Sequence, residues 1–252
     1  MPKVTVTLPS GLRGTIRSLK GKEINMFANM SNAKASATTL KVLASVWEET
    51  EAVGEVYDFP DNEIDWSHVL LCDRFTALLY ARVATWGAEY SFRQQCGACR
   101  RRYTWELDIT ELEIKPLPQT SIAAYKEGNR FTTTVLDDSG EARKVIFQLV
   151  TPKLESKIVQ AADIAVSDRV TASLAQRIVS VEGLDPGKGA IKAWLNDLDM
   201  GSLYDLLQEL DAYDGGIETE IEIECPHCGE REELELPLDR SEFWNPRKPK
   251  RS

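Results

Sequence analysis

The residues best equipped for chemistry in this sequence are two Cys-x-x-Cys pairs, Cys96-Gly-Ala-Cys99 and Cys225-Pro-His-Cys228. Two thiolates separated by two residues can share a metal ion. A second such pair completes a tetrahedral set, with Zn–S distances of about 2.3 Å. The spacing predicts one zinc ion per chain, held by Cys96, Cys99, Cys225 and Cys228. Four sulfurs leave no open coordination position, so the metal is expected to be structural. A thioredoxin-like reading needs the motif at a helix start after a strand in a parallel fold, and neither pair has that context. Disulfides would suit a secreted chain, but the opening residues do not read as a signal peptide. His227, inside the second pair, is read as a neighbour of the site, since the sulfurs already saturate it. Cys72 lies in the apolar run Val69-Leu-Leu-Cys-Asp-Arg-Phe and is read as a small core hydrophobe.

Both pairs sit between alternating segments. Ala88-Glu-Tyr-Ser-Phe-Arg and Tyr103-Thr-Trp-Glu-Leu-Asp-Ile flank the first, and Ile217-Glu-Thr-Glu-Ile-Glu-Ile-Glu and Glu232-Glu-Leu-Glu-Leu-Pro-Leu the second. Strand, tight knuckle, strand is the build of a zinc ribbon. The two pairs are 129 residues apart at both cysteines, which prompts a search for a repeat. Leu78-Leu-Tyr-Ala-Arg-Val-Ala-Thr-Trp-Gly87 precedes the first knuckle and Leu206-Leu-Gln-Glu-Leu-Asp-Ala-Tyr-Asp-Gly215 the second. Further upstream, Thr39–Trp47 faces Thr171–Val179, and Thr15–Lys20 faces Lys144–Val150. The expected fold class is α+β, with two pseudo-repeated halves. Each half is a β-hairpin, about three helices and a zinc-knuckle hairpin, and the halves join through the metal. The expected boundaries are 1–116, 117–246 and a basic tail at 247–252.

Along the chain, Val4-Thr-Val-Thr-Leu-Pro-Ser-Gly and Gly14–Leu19 read as a hairpin. Helices are expected over Lys22–Met30, Thr38–Thr50 and Trp66–Thr85, with an acidic loop over Glu51–Asp65. Leu117-Pro-Gln reads as a linker. A second hairpin turns at Asp137-Asp-Ser-Gly, followed by helices from Pro152 to about Val166, Val170–Ser180, Ile191–Asp197 and Gly201–Tyr213.

No catalytic constellation stands out. The sequence has two histidines, His68 and His227, and lacks His-Glu-x-x-His. Asp185-Pro-Gly-Lys-Gly resembles a phosphate loop only in composition, because Gly follows Lys188 and no buried strand precedes it. Glu48-Glu-Thr-Glu and Glu230–Glu235 read as solvated faces. Arg100-Arg-Arg reads as charge that keeps a strand edge from pairing, with phosphate binding as the alternative. No enzymatic activity is expected. The net charge of −10 opposes general nucleic-acid binding and suits partners with basic patches. No run is apolar enough to span a membrane. The tail residues Arg247, Lys248, Lys250 and Arg251 are a candidate docking arm for an acidic partner protein.

In layout the chain resembles the T-even-type bacteriophage baseplate family, proteins of the tail hub or its assembly. The resemblance runs from Leu8-Pro-Ser-Gly through Leu71-Cys-Asp-Arg and Trp86-Gly-Ala-Glu-Tyr to Cys96-Gly-Ala-Cys99 and Leu107-Asp-Ile. It continues at Asp214-Gly-Gly-Ile, Cys225-Pro-His-Cys-Gly229, Leu236-Pro-Leu and Phe243-Trp-Asn-Pro246. It covers most of the chain through short motifs whose order and spacing matter more than any single match. Members often carry Phe-Phe where Phe243-Trp244 stands, and they vary in keeping all four cysteines. The resemblance implies a structural or assembly role in a contractile tail, without catalysis. Its partners would be other baseplate and tail-hub proteins, with assembly in the host cytoplasm and a place in the virion tail baseplate. The competing reading is a zinc-ribbon nucleic-acid or transcription-linked adaptor.

Overall fold

A computed structural model describes residues 2–28, 35–137, 140–165, 167–238 and Phe243. The fold is mixed α+β, with eight α-helices and several small antiparallel sheets among the described residues.

The chain opens with a hairpin of β1 (Lys3–Thr7) and β2 (Arg13–Arg17), paired from Lys3↔Arg17 to Thr7↔Arg13. Its turn is closed by Leu8 N–H donating to Leu12 O and by Gly11 at φ 86°, a backbone angle natural to glycine. Helices α1 (Gly21–Ala28) and α2 (Ala35–Val46) follow, and β3 (Trp47–Ala52) then pairs antiparallel with β2. Gly14 makes that approach feasible. A Cβ there would lie 2.2 Å from Glu49 O and 2.3 Å from Trp47 Cζ2.

A long connection leads to α3 (Leu71–Trp86), the most enclosed helix of the fold. Cys72, Ala77, Leu79, Ala81 and Val83 are all buried on it, as are the polar residues Asp73, Arg74, Thr76 and Arg82. It stops at Gly87 (φ 94°), whose N–H donates to Val83 O at 2.9 Å, as expected for a glycine C-terminus. The hairpin of β4 (Glu89–Gln95) and β5 (Arg102–Asp108) comes next. After it, β6 (Ile114–Lys115) and α4 (Gln119–Lys126) complete this part of the chain.

A second three-stranded sheet, in the order β7-β8-β9, comprises β7 (Phe131–Leu136), β8 (Ala142–Phe147) and β9 (Ile178–Val181). Helices α5 (Pro152–Ile164) and α6 (Arg169–Arg177) fill the connection from β8 to β9. Thr151 caps α5 by accepting from Leu154 N–H at 3.4 Å, with Pro152 in the first turn. Then come α7 (Lys188–Asp197), α8 (Met200–Ala212), β10 (Gly216–Ile217) paired with β6, and the hairpin of β11 (Glu220–Glu224) and β12 (Arg231–Glu235). One apolar core runs from Val6, Leu8 and Ile16 through Val42 and Leu70 to Phe147, Leu174, Ile191 and Leu210.

Several expectations need correction. The helix read over Thr38–Thr50 ends at Val46, and the residues read as its end and the start of an acidic loop form β3. The helix read from Trp66 begins at Leu71; Asp65–Val69 forms turns, with His68 N–H donating to Asp65 O and Val69 N–H to Trp66 O. The helix read over Val170–Ser180 ends at Arg177 and yields to β9. In all three places tertiary packing or strand pairing overrides a helical local pattern. Leu117-Pro-Gln leads straight into α4, not into a plain linker. The stretch from β7 onward carries four helices after its hairpin, α5 to α8, where about three were expected. Asp138-Ser139 of the second turn, Val166 and the tail residues Arg247, Lys248, Lys250 and Arg251 lie outside the described residues.

Candidate metal centre

The four expected cysteines meet. Cys96, Cys99, Cys225 and Cys228 bring all four Sγ atoms within 4.8 Å of one another, the one such group of metal-ligating side chains among the described residues. Two pairs reach across the hairpins, Cys96 Sγ to Cys228 Sγ at 3.7 Å and Cys99 Sγ to Cys225 Sγ at 3.8 Å. A tetrahedron with metal–sulfur bonds of about 2.3 Å has edges of about 3.8 Å, so a metal fits between the sulfurs with little movement.

The backbone explains why two distant segments make matching halves of one site. In the first turn, Cys96 N–H donates to Arg101 O at 3.1 Å and Arg100 N–H to Cys96 O at 3.1 Å. In the second, Cys225 N–H donates to Glu230 O at 2.8 Å and Gly229 N–H to Cys225 O at 2.9 Å. Each turn closes through one left-handed residue, Arg100 at φ 60° and Gly229 at φ 74°. Such turns aim backbone N–H groups at sulfur; Cys99 N–H points at Cys96 Sγ from 3.4 Å. Burial works against ionisation at Cys225, yet the N–H groups of His227 and Cys228 bring its thiol down to about 7. At Cys228 the Glu230 N–H favours the thiolate, but partial burial and the neighbouring thiols prevail and push it up to about 12. A cation among the sulfurs would supply the positive charge that lets all four ionise.

A small apolar cluster of its own supports the site. Cys96, Tyr103, Ile223 and Cys225 are buried together, with Trp105, Ile221 and Leu234 packed against them. Glu232, within a run read as purely solvated, instead crosses between the hairpins and accepts from Gly97 N–H at 2.5 Å. His227 is exposed and lies outside the cluster of ligating atoms. Cys72 is buried in the core, as read, with its thiol pushed well up, chiefly by burial.

Two further polar knots escaped the sequence reading. Asp73, fully buried, accepts from Ser10 N–H at 3.0 Å and from Tyr57 Oη at 2.6 Å, while Tyr57 Oη accepts from Leu70 N–H at 2.9 Å. Burial pushes the Asp73 carboxyl up. Arg82, also buried, donates to the carbonyls of Gly87 and Glu89 and lies over the rings of Tyr90 and Phe243, 5.8 and 5.2 Å from their centroids. Phe243 meets Tyr90 edge-on at 4.9 Å, which pins the chain just before its basic end. The signal available for both knots was a charged residue inside an otherwise apolar helical run.

Ser67, His68 and Asp65 also lie together, but Ser67 Oγ and Asp65 Oδ2 both approach the same ring nitrogen, His68 Nδ1, at 3.2 and 2.8 Å. A nucleophile–base–acid relay uses opposite nitrogens of the ring, so this exposed trio is a turn motif. Contrary to the reading of Asp185-Pro-Gly-Lys-Gly, a strand with buried ends, β9, does precede that loop, but Lys188 is tied to Ile178 O at the start of α7, with burial lowering its pKa. No helix among the described residues is long and apolar enough to cross a membrane.

Comparison with protein-family models, curated proteins and solved structures returned no match.

Proposed function

We propose that this protein is a non-enzymatic structural or assembly component of a contractile phage tail baseplate or hub, stabilised by one structural zinc ion. The observation that carries the reading is the closed set of four thiols joining two hairpins far apart in sequence. Thiolate donors and tetrahedral spacing favour zinc. With every coordination position filled by the chain, the metal's work is to hold geometry.

The same reading takes the chain as a duplicated unit, supported by a constant offset of 129 residues. Added to Lys3–Thr7, Arg13–Arg17, Leu71–Trp86 and Arg102–Asp108, it falls on β7, β8, α8 and β12. The hydrogen bond from Leu8 N–H to Leu12 O has its counterpart in Asp137 N–H to Glu141 O, and that from Gly11 N–H to Leu8 O in Gly140 N–H to Asp137 O. The third strand of the second sheet departs: Ile16 pairs with Trp47, whereas its counterpart Val145 pairs with Val181, five residues beyond the constant offset. In this reading α7 occupies what is a loop in the first half.

The tail assignment rests on the ordered short motifs. Some of their residues meet in space, Ser10 with Asp73 and Phe243 with Tyr90, and Pro9 accepts from the N–H of Leu117 at 2.7 Å. Gly215 closes onto the same place; a Cβ there would lie 2.8 Å from Pro9 Cβ and 3.0 Å from Leu117 N. Residues shared by the resemblance thus lie at joints of the fold, as expected where they specify shape.

Two measurements test the reading. Metal analysis of protein purified without chelator is expected to return one zinc per chain, and Cys225→Ser to lose the metal and unfold at lower denaturant. Two zincs or none would sink the shared site. Removing the gene from its phage is expected to abolish assembled tails, and normal contractile particles from a complete deletion would overturn the tail role. The adaptor alternative has the ribbon-like hairpins and the arginines at 100–102 in its favour, and binding to duplex or single-stranded nucleic acid at about 0.15 M salt would support it instead.

A further inference from the structure

The two cysteine hairpins match in backbone but differ sharply in charge. At the tip of the first, Arg100, Arg101 and Arg102 are all exposed, and their side chains make no hydrogen bond or ion pair among the described residues. Other exposed cations of the chain are taken up within it, as in Lys3–Glu48 and Arg13–Glu51, which leaves these three adjacent guanidiniums available to a partner. The second hairpin carries eight glutamates and one arginine between Glu218 and Glu235. Glu220, Glu222, Glu224, Glu233 and Glu235 alternate outward on its exposed face. Its register places Glu220 opposite Glu235 and Glu222 opposite Glu233. Like charges directly opposite each other destabilise a strand pair. Among the described residues Arg231 is the cation that offsets them, reaching Glu222 at 3.4 Å and Glu224 at 3.3 Å.

We propose that the arginine tip of one copy docks on the glutamate face of a second copy, giving a charge-driven, head-to-tail association of this chain. The two surfaces are complementary in sign. Both lie exposed on two-stranded hairpins, and guanidinium–carboxylate pairing suits Arg more than Lys. A polyanion fits the tip less well, because the glutamate hairpin lies just across the same four cysteines and the chain carries −10 overall. A contact between two different patches is heterologous, so each copy keeps one free tip and one free face and can add further copies, closing into a ring or extending as a filament. The inference stands apart from the tail assignment and needs only the paired hairpins.

The test uses the full-length, metal-loaded protein in sedimentation velocity at about 30 mM and about 0.5 M salt. The wild type is expected to grow in mass with concentration at low salt and to become monomeric at high salt, where screening is strong. The variant Arg101→Glu/Arg102→Glu and the variant Glu222→Lys/Glu233→Lys are each expected to associate at least about tenfold more weakly while keeping wild-type metal content and melting temperature. An equimolar mixture of the two variants is expected to associate again, since each supplies the sign the other lacks. A wild type monomeric at low salt, variants that associate undiminished, or a mixture of folded variants that stays monomeric would each overturn the proposal. So would an arginine tip that binds oligonucleotide while self-association is absent.

Discussion

Arg100 and Gly229 occupy the same place in the two cysteine turns, both with positive φ, but only one is a glycine. For a residue with a Cβ the left-handed region costs about 1 kcal/mol or more. Gly229→Ala is therefore expected to lower stability by about 1 kcal/mol in urea melts of the metal-loaded protein. Arg100→Gly is expected to be neutral or slightly stabilising, because relief of strain is partly cancelled by the freer unfolded chain. An unchanged Gly229→Ala midpoint would contradict this. Glu23 offers a second residue-scale test. Burial raises its carboxyl, but hydrogen bonds from Arg17, Ser45 and the Lys20 N–H outweigh that and bring it to about 2. A folded pKa below the unfolded one contributes stability that is complete above about pH 4.5 and is lost as the pH falls toward 2. The contribution is about 3 kcal/mol. Denaturant midpoints measured from pH 5 to pH 2 should fall, and Glu23→Gln should flatten that part of the curve while lowering stability at pH 7.

At the level of elements, the cysteine hairpins were legible because alternation and a tight turn are local signals, and the sulfur chemistry fixed their partner. The hairpin at the start, the stop of α3 at Gly87 and the start of α5 at Pro152 were legible for the same reason. The third strands were not. Trp47-Glu-Glu-Thr reads as the charged end of a helix and Glu51-Ala52 as the start of a loop, and only the neighbouring edge of β2 makes them a strand. Ile178, Val179 and Ser180 of β9 read as the end of a helix in the same way. Arg82 and Asp73 were illegible because their partners lie in other segments, Arg82 above Phe243 and Asp73 beside Ser10 and Tyr57. The dependence of β3 on β2 can be probed at Gly14. Ala there would drive a methyl into the Glu49 carbonyl, which cannot turn aside as a side chain can. Gly14→Ala is expected to cost about 1–3 kcal/mol, the range of a strained small-to-large change, read as a lower thermal midpoint with metal content unchanged. A midpoint within error of wild type would mean that the β2–β3 edge is looser than described.

For the molecule as a whole, the core and the cysteine cluster tie the chain together by different means. The core draws residues from both sides of residue 116, and the sulfurs add a second connection at the hairpin tips. The basic tail begins beyond an anchor, since Phe243 is fully buried against Arg82 and Tyr90. Deleting residues 245–252 is therefore expected to leave folding and metal content intact and, on the proposed tail role, to weaken incorporation into tails. Deletion from Phe243 onward should add a stability loss of about 3–5 kcal/mol, the cost of removing a buried aromatic side chain. If the shorter deletion already unfolds the protein, the tail is part of the fold and not a docking arm. If it leaves incorporation unchanged, partner contacts lie elsewhere.

The distance between the two knuckles also has a consequence for synthesis. Cys96 and Cys99 are made long before Cys225 and Cys228, with 129 residues between equivalent cysteines. At elongation rates of about 5–20 residues per second, the first pair waits roughly 6–26 s for its partners. Throughout that interval a nascent chain carries half a ligand set, and neighbouring chains on one messenger carry identical halves. Two first knuckles could then complete a four-sulfur shell between chains, an arrangement chemically equal to the native one and topologically wrong. Free zinc during translation should therefore promote cross-linked chains, which chelator would release.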